Sequence, residues 1–195
     1  MEGGFSLGEV LRLKFFWIFG TASFLWLACF GGVVFLVPYL TTVGLSRAEA
    51  ARDMGFLGIT STLGRIATGA VMDRFPAPYV CAALFVLEAA AFAALGLFHA
   101  QFAVAAILAI GLAHGTENVG FAYCTVRYFG LKSYSQISGL LGVISGLGLA
   151  LAPLIFSSLH TLTADYRVPY LASTSMALGA ALVFVLIGRR LPPAR

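Results

Sequence analysis

Gly55–Arg74, reading GFLGITSTLGRIATGAVMDR, decides the fold. The stretch is apolar and rich in small residues. One charge, Arg65, interrupts it before it ends on Asp73-Arg74. A helix crossing a bilayer core needs about 20 apolar residues, and this stretch has that length. A charge inside such a helix costs roughly 2.5–3.5 kcal/mol at the bilayer centre. The stretch therefore reads as a membrane span in which Arg65 has a purpose.

The same stretch is half of an internal repeat. Gly139–Leu149, GLLGVISGLGL, lies 84 residues after Gly55–Arg65, GFLGITSTLGR. Gly55, Leu57, Gly58, Ser61, Leu63 and Gly64 recur as Gly139, Leu141, Gly142, Ser145, Leu147 and Gly148. Arg65 does not recur, since Leu149 stands in its place. The repeated residues read as scaffold and the residue that breaks the repeat as function.

Of 195 residues, 60% are hydrophobic and only 10% charged. Soluble domains carry about 25% charged residues, so an all-α integral membrane protein is expected. The formal charge of +4 is small and scattered, which argues against nucleic acid as a partner. Cys29, Cys81 and Cys124 each fall inside an apolar segment without metal-ligand spacing, and read as small core residues. No metal and no cofactor are expected. The hydrophobic run after Lys14 is too long for the core of a signal peptide.

Taken in order, 1–14 reads as an N-terminal segment at the membrane edge, 15–188 as a transmembrane bundle and 189–195 as a tail. Six spans are expected in the bundle, at about 15–40, 54–72, 79–98, 101–126, 137–159 and 168–188. Trp17 and Tyr39 bracket the first, and Pro38 is expected to bend its last turn. Ser46 with Glu49 is a plausible N-cap for the second. With six spans both termini share one side. Arg12, Lys14, Arg74, Arg127, Lys132, Arg189, Arg190 and Arg195 fall there, against Arg47, Arg52 and Arg167 opposite. The excess places both termini in the cytoplasm of a multi-pass protein of the cell (inner or plasma) membrane. The repeat pairs the second span with the fifth, an odd displacement. The bundle is thus expected to be two inverted three-helix repeats, a construction common in secondary transporters.

With Arg65, Gly69, Asp73 and Arg74 placed, the chain resembles the C-terminal six-helix half of a major facilitator superfamily transporter. Gly69-x-x-x-Asp73-Arg74 matches the first part of that family's cytoplasmic loop motif, although Pro76, Ala77 and Pro78 replace the glycine and basic pair that follow. Gly115–Gly139 looks like the tenth-helix region of bacterial members, including Arg127-Tyr128-Phe129-Gly130. Within the family the chain most resembles the monocarboxylate-transporter-like group, whose carboxylate-binding arginine matches Arg65. The aspartate that group carries four residues earlier is Ser61 here. The resemblance implies secondary transport of a small organic solute, a carboxylate by the Arg65 match, with proton symport as one form. It implies no enzyme activity. It also implies a second six-helix half, either a missing N-terminal half or a second copy. A remnant or interaction subunit that keeps the half-fold is the alternative.

Four residues are candidates for the substrate and proton pathway. Arg65 would bind an anion by a two-pronged hydrogen bond, or else snorkel to the interface. His114, Glu117 and Asn118 share one face of the fourth span by their three- and four-residue spacing, and Phe121 continues that face. By the resemblance that face lines the central cavity, while a structural hydrogen-bonded cluster is the other reading. Glu88, in the third span, is expected to be peripheral and to pair with a neighbouring polar group. Gly139, Gly142, Gly146 and Gly148, with Pro153, are expected to serve helix packing and to hinge the fifth span.

Overall fold

The structure is a computed structural model and describes residues 4–190, except for the side chains at 99, 100, 117, 118 and 190. Among the described residues the chain is helical, with one isolated bridge joining Gly4 to Gly130. The helices are α1 (Leu7–Arg12), α2 (Lys14–Ala28), α3 (Gly31–Val34), α4 (Leu36–Thr42) and α5 (Arg47–Met72). They continue with α6 (Ala77–Phe98), α7 (Ala103–Phe129), α8 (Tyr134–Thr163) and α9 (Arg167–Arg190).

Five stretches are long and apolar enough to cross a membrane: Lys14–Thr42, Ala77–Phe98, Ala103–Phe129, Tyr134–Thr163 and Arg167–Arg189. α5 is long enough but falls short in apolarity. Its first two turns carry Arg47, Glu49, Arg52 and Asp53, and Arg65 dilutes the rest. The expected cap is in place. The Ser46 backbone N–H and hydroxyl both donate to Glu49 Oε2, at 2.9 and 2.7 Å, and the Glu49 N–H donates back to Ser46 Oγ at 3.3 Å.

The first span is not one helix bent at its end. It breaks at Cys29-Phe30 and again at Phe35, giving α2, α3 and α4 in place of a continuous 15–40 helix. Pro38 sits inside α4, and its lost N–H and ring act on the turn before it, at the Phe35 break. The earlier break falls beside Gly31 and Gly32. A Cβ on Gly31 would meet the Ala152 carbonyl at 2.5 Å, and one on Gly32 the Phe92 ring at 2.6 Å. Backbone freed at such a break needs partners inside a membrane. The Tyr170 hydroxyl supplies one to the Gly32 carbonyl at 3.3 Å, and the Tyr39 hydroxyl spans from α4 to the Leu95 carbonyl of α6 at 2.7 Å.

The bundle is built from helix pairs. α5 runs along α7, α2 along α8, and α6 along α9, while α6 also meets α7 and α2 also meets α9. A core of Trp26, Phe85, Phe121, Phe184 and Phe19 joins α2, α6, α7 and α9. All three cysteines are buried. α5 and α8 each leave one side uncovered, where Ile66 and Leu154 are more than half exposed.

Candidate functional site

The α5–α7 crossing is close because glycines line it. A Cβ on Gly64 would collide with the Leu112 carbonyl, and one on Gly115 with the Ser61 carbonyl and, at 2.9 Å, with the Arg65 backbone N. Thr68 and Thr116 seal the crossing with a buried hydroxyl–hydroxyl bond of 2.8 Å. This contact sets the backbone of Arg65 in α5 against Gly115, the residue that follows His114 in α7. Arg65 itself is exposed on the uncovered side of α5. Among the described residues the ion pair is Arg52–Asp53, so Arg65 does not pair with Asp73.

His114 is half-buried and stacks on Phe30 with ring centroids 4.7 Å apart. Its ring also lies 5.8 Å from that of Trp26. Trp26 lies between Phe85 and Phe121, and its indole N–H donates to Glu88 Oε2 at 2.7 Å. His114, Trp26 and Glu88 thus form a line of contacts across α7, α2 and α6, with Arg65 of α5 at the neighbouring crossing. Glu117 and Asn118 follow His114 on α7, but their side chains lie outside the described residues.

Below Trp26 is a cavity of about 200 Å³ between α2, α7 and α8. Its walls include Trp26, Phe121, Ser23, Thr125, Tyr134, Ser138 and Ser145, and the hydroxyls of Ser23, Thr125 and Ser145 donate to carbonyls of their own helices. Gly142 and Ser145, two of the repeated residues, line it too. Part of the repeat that read as scaffold therefore borders polar space.

The glycines expected to serve helix packing divide into two sets. Gly148 is buried, and a Cβ there would meet the Phe24 carbonyl of α2. Gly139, Gly142 and Gly146 are exposed, and a Cβ on any of them would meet nothing within 4 Å. Pro153 lies inside α8 without ending it. Gly69, Asp73 and Arg74 sit at the far end of α5, with Asp73 as its C-cap and Arg74 exposed.

Trp26 and Glu88 are what sequence reasoning undervalued. Glu88 was expected to be peripheral and to pair with a neighbouring polar group; it does pair, with the Trp26 indole, but both residues are at most 2% exposed and lie in the core. The usable signal was an intramembrane acid opposite an indole, whose N–H must be satisfied when buried.

A helical bundle with five stretches long and apolar enough to cross a bilayer is the architecture of a multi-pass membrane protein. The chain belongs to the major facilitator superfamily, whose family model, described as "Major Facilitator Superfamily", matches residues 3–153. It is also similar to monocarboxylate transporter 12 of Xenopus laevis, with 46% identity over 67 residues. That match covers 33% of this chain and 14% of the frog protein.

Proposed function

We propose that this chain is one six-span half of a secondary transporter for a small organic carboxylate, with Arg65 as the carboxylate ligand. The observation that carries the proposal is the placement of Arg65 at the glycine-lined α5–α7 crossing, exposed and with its backbone against the turn that carries His114. A guanidinium offers a carboxylate two parallel hydrogen bonds, and Arg65 is exposed and in no ion pair among the described residues. The similarity to a monocarboxylate transporter supports the same substrate class. Transport leaves its solute chemically unchanged, so no enzyme activity is assigned.

In this reading α5 is the second span and brings the total to six, and the bundle comprises residues 15–188 as two inverted three-helix repeats. Two features support it. Gly64 and Gly148, equivalent in the repeat, each hold a neighbouring backbone. The pairs α5–α7 and α8–α2 are also interchanged by the repeat, while α6–α9 maps onto itself. The uncovered sides of α5 and α8, with Gly55, Gly58, Gly139, Gly142 and Gly146 open, would then receive a second six-helix half. Both termini would face the cytoplasm of the cell membrane, with Gly69, Asp73 and Arg74 forming a loop motif there. Pro153 would let α8 bend as the halves rock. Glu117 would carry the coupled proton in symport, with His114 and Asn118 beside it.

Uptake of radiolabelled lactate into proteoliposomes tests the proposal. An inward proton gradient should drive accumulation, and Glu117→Gln should abolish uphill accumulation yet leave exchange. Insertion without any lactate flux, with or without a co-expressed second half, would instead indicate a non-transporting half-fold. A C-terminal tag at the native locus reports the second half. A band well above 20.6 kDa would place both halves in one polypeptide, and a band at that mass would require a second copy or a separate chain.

A further inference from the structure

At the end of the bundle where α5 and α7 stop and α6 begins, the three helices enclose a cavity of about 430 Å³. Arg74 and Arg127 line it together with Tyr79, Tyr123 and Tyr128. Both arginines are exposed, and neither belongs to an ion pair among the described residues. Asp73 shares the wall, which leaves one positive charge in excess. Arginine recognises phosphate oxygens through paired N–H donors, and tyrosine belongs at the boundary between headgroups and acyl chains.

Two apolar grooves leave this cavity. The first shares Tyr123 and Arg127 with it and climbs α7 past Val126, Ala122 and Val119, with a volume of about 630 Å³. The second shares Phe75 and Tyr79 and runs between α5 and α6 past Val71, Val80 and Ala83, with about 380 Å³. At 1.5 Å per residue the α7 groove is about 12 Å long. A cationic, hydroxyl-lined head with two apolar arms running into the bilayer matches a diacyl phospholipid in charge, branching and depth.

We propose that this three-part depression binds an anionic two-chain phospholipid, its phosphate between Arg74 and Arg127 and its acyl chains in the two grooves. Basic pockets between transmembrane helices recognise anionic headgroups in this manner. A free phosphate would satisfy the head alone and leave the grooves empty. A second protein half seated here would have to supply its own acids to the two arginines. The inference requires only that the bundle lies in a bilayer and is independent of what the chain transports.

Native mass spectrometry of the purified chain, offered equal phosphatidylglycerol and phosphatidylcholine in mild detergent, tests it. Retained phosphatidylglycerol should exceed phosphatidylcholine about tenfold, and Arg74→Gln with Arg127→Gln should remove that preference. The charge-matched control Arg12→Gln with Lys14→Gln should keep it. Ala83→Phe and Ala122→Phe, each filling one groove, should lower retention of phosphatidylglycerol while leaving the arginines in place. Equal retention of the two lipids, or an unchanged preference in the double arginine variant, would overturn the site. Inorganic phosphate that raises the melting temperature as much as phosphatidylglycerol does would assign it to a free anion and overturn the lipid. Exclusion of phosphatidylglycerol from a longer chain carrying a second half would assign the surface to that half and likewise overturn the proposal.

Discussion

α5 on α7 and α8 on α2 use one device at matching places in the sequence. In each pair a buried glycine at the repeat-equivalent position, Gly64 or Gly148, presses on a carbonyl of the facing helix, with Gly111 and Gly115 of α7 adding to the first pair, while a Cβ on the glycines six and nine residues earlier would meet nothing within 4 Å. The residue after that glycine differs. Arg65 follows Gly64, and Leu149 follows Gly148. Shared residues set the distance between helices, and the unshared one sets what the helix can do chemically. A bilayer offers no hydrophobic drive to join helices, so close approach through small residues must supply it.

The largest effect should come from filling the shared contact. Gly64→Leu and Gly148→Leu each drive a side chain into backbone that cannot move aside, and both should abolish a monodisperse peak in detergent size-exclusion chromatography. Gly58→Ala and Gly142→Ala meet open space, so the isolated chain should melt at an unchanged or slightly higher temperature. If Gly142→Ala were as damaging as Gly148→Leu, the division between tight and open glycines would be wrong.

Next is the line through α2, which sets it apart from α7. The Trp26 indole is held by Glu88. Glu88→Gln keeps an acceptor, whereas Glu88→Leu leaves a buried indole N–H unsatisfied at a cost of about 1–3 kcal/mol. In a Trp17→Phe background Trp26 is the remaining tryptophan. Its emission should match that of the parent in Glu88→Gln and shift in Glu88→Leu, alongside a lower melting temperature. Identical spectra in both variants would show that the bond does not position the ring.

A smaller expected effect, about tenfold, tests the unshared residue. Arg65→Lys keeps the charge but loses the planar fork, so the efficiency of lactate uptake should fall about tenfold. Leu149→Ala should leave uptake within about twofold. Unchanged apparent affinity in Arg65→Lys would make Arg65 structural and erase the chemical difference between the two helices.

The sequence made some of this legible because the relevant physics is local. Runs of apolar residues placed five spans, and Ser46 with Glu49 announced the start of α5 through a cap that closes within three residues. Contacts distant in sequence stayed hidden. Trp26 and Glu88 are 62 residues apart, and no periodicity links them. Gly58 and Gly64 are the same residue on the same helix, and only the facing α7 distinguishes an open position from a tight one. The break in the first span was assigned to Pro38 because proline breaks helices by itself. The break at Cys29-Phe30 accompanies Gly31 and Gly32 pressing on α8 and α6.

The smallest prediction concerns how the two matched helices begin. α5 and α8 both follow a serine with an acid or amide three residues on, Ser46 with Glu49 and Ser133 with Gln136, a pattern that favours a capping box. The box closes on α5, whereas Ser133 makes no side-chain cap bond on α8. Ser46→Ala should therefore lower the melting temperature by roughly 2–4 °C, and Ser133→Ala should leave it unchanged. The α5 cap also titrates. The side-chain and backbone hydrogen bonds from Ser46 hold the Glu49 carboxyl below its ordinary value of 4.5. A carboxyl depressed in the folded state adds stability above its unfolded pKa and loses it as pH falls through the folded one. Glu9 is depressed by Ser6 in the same way on α1, so acid should weaken both caps together. Melting curves from pH 7 down to about pH 3 should show Glu49→Gln flattening part of the acid loss and Glu9→Gln the remainder of the capping contribution. An acid loss that survives both substitutions in full would mean that these caps do not govern it, and that α5 and α8 begin on equal terms.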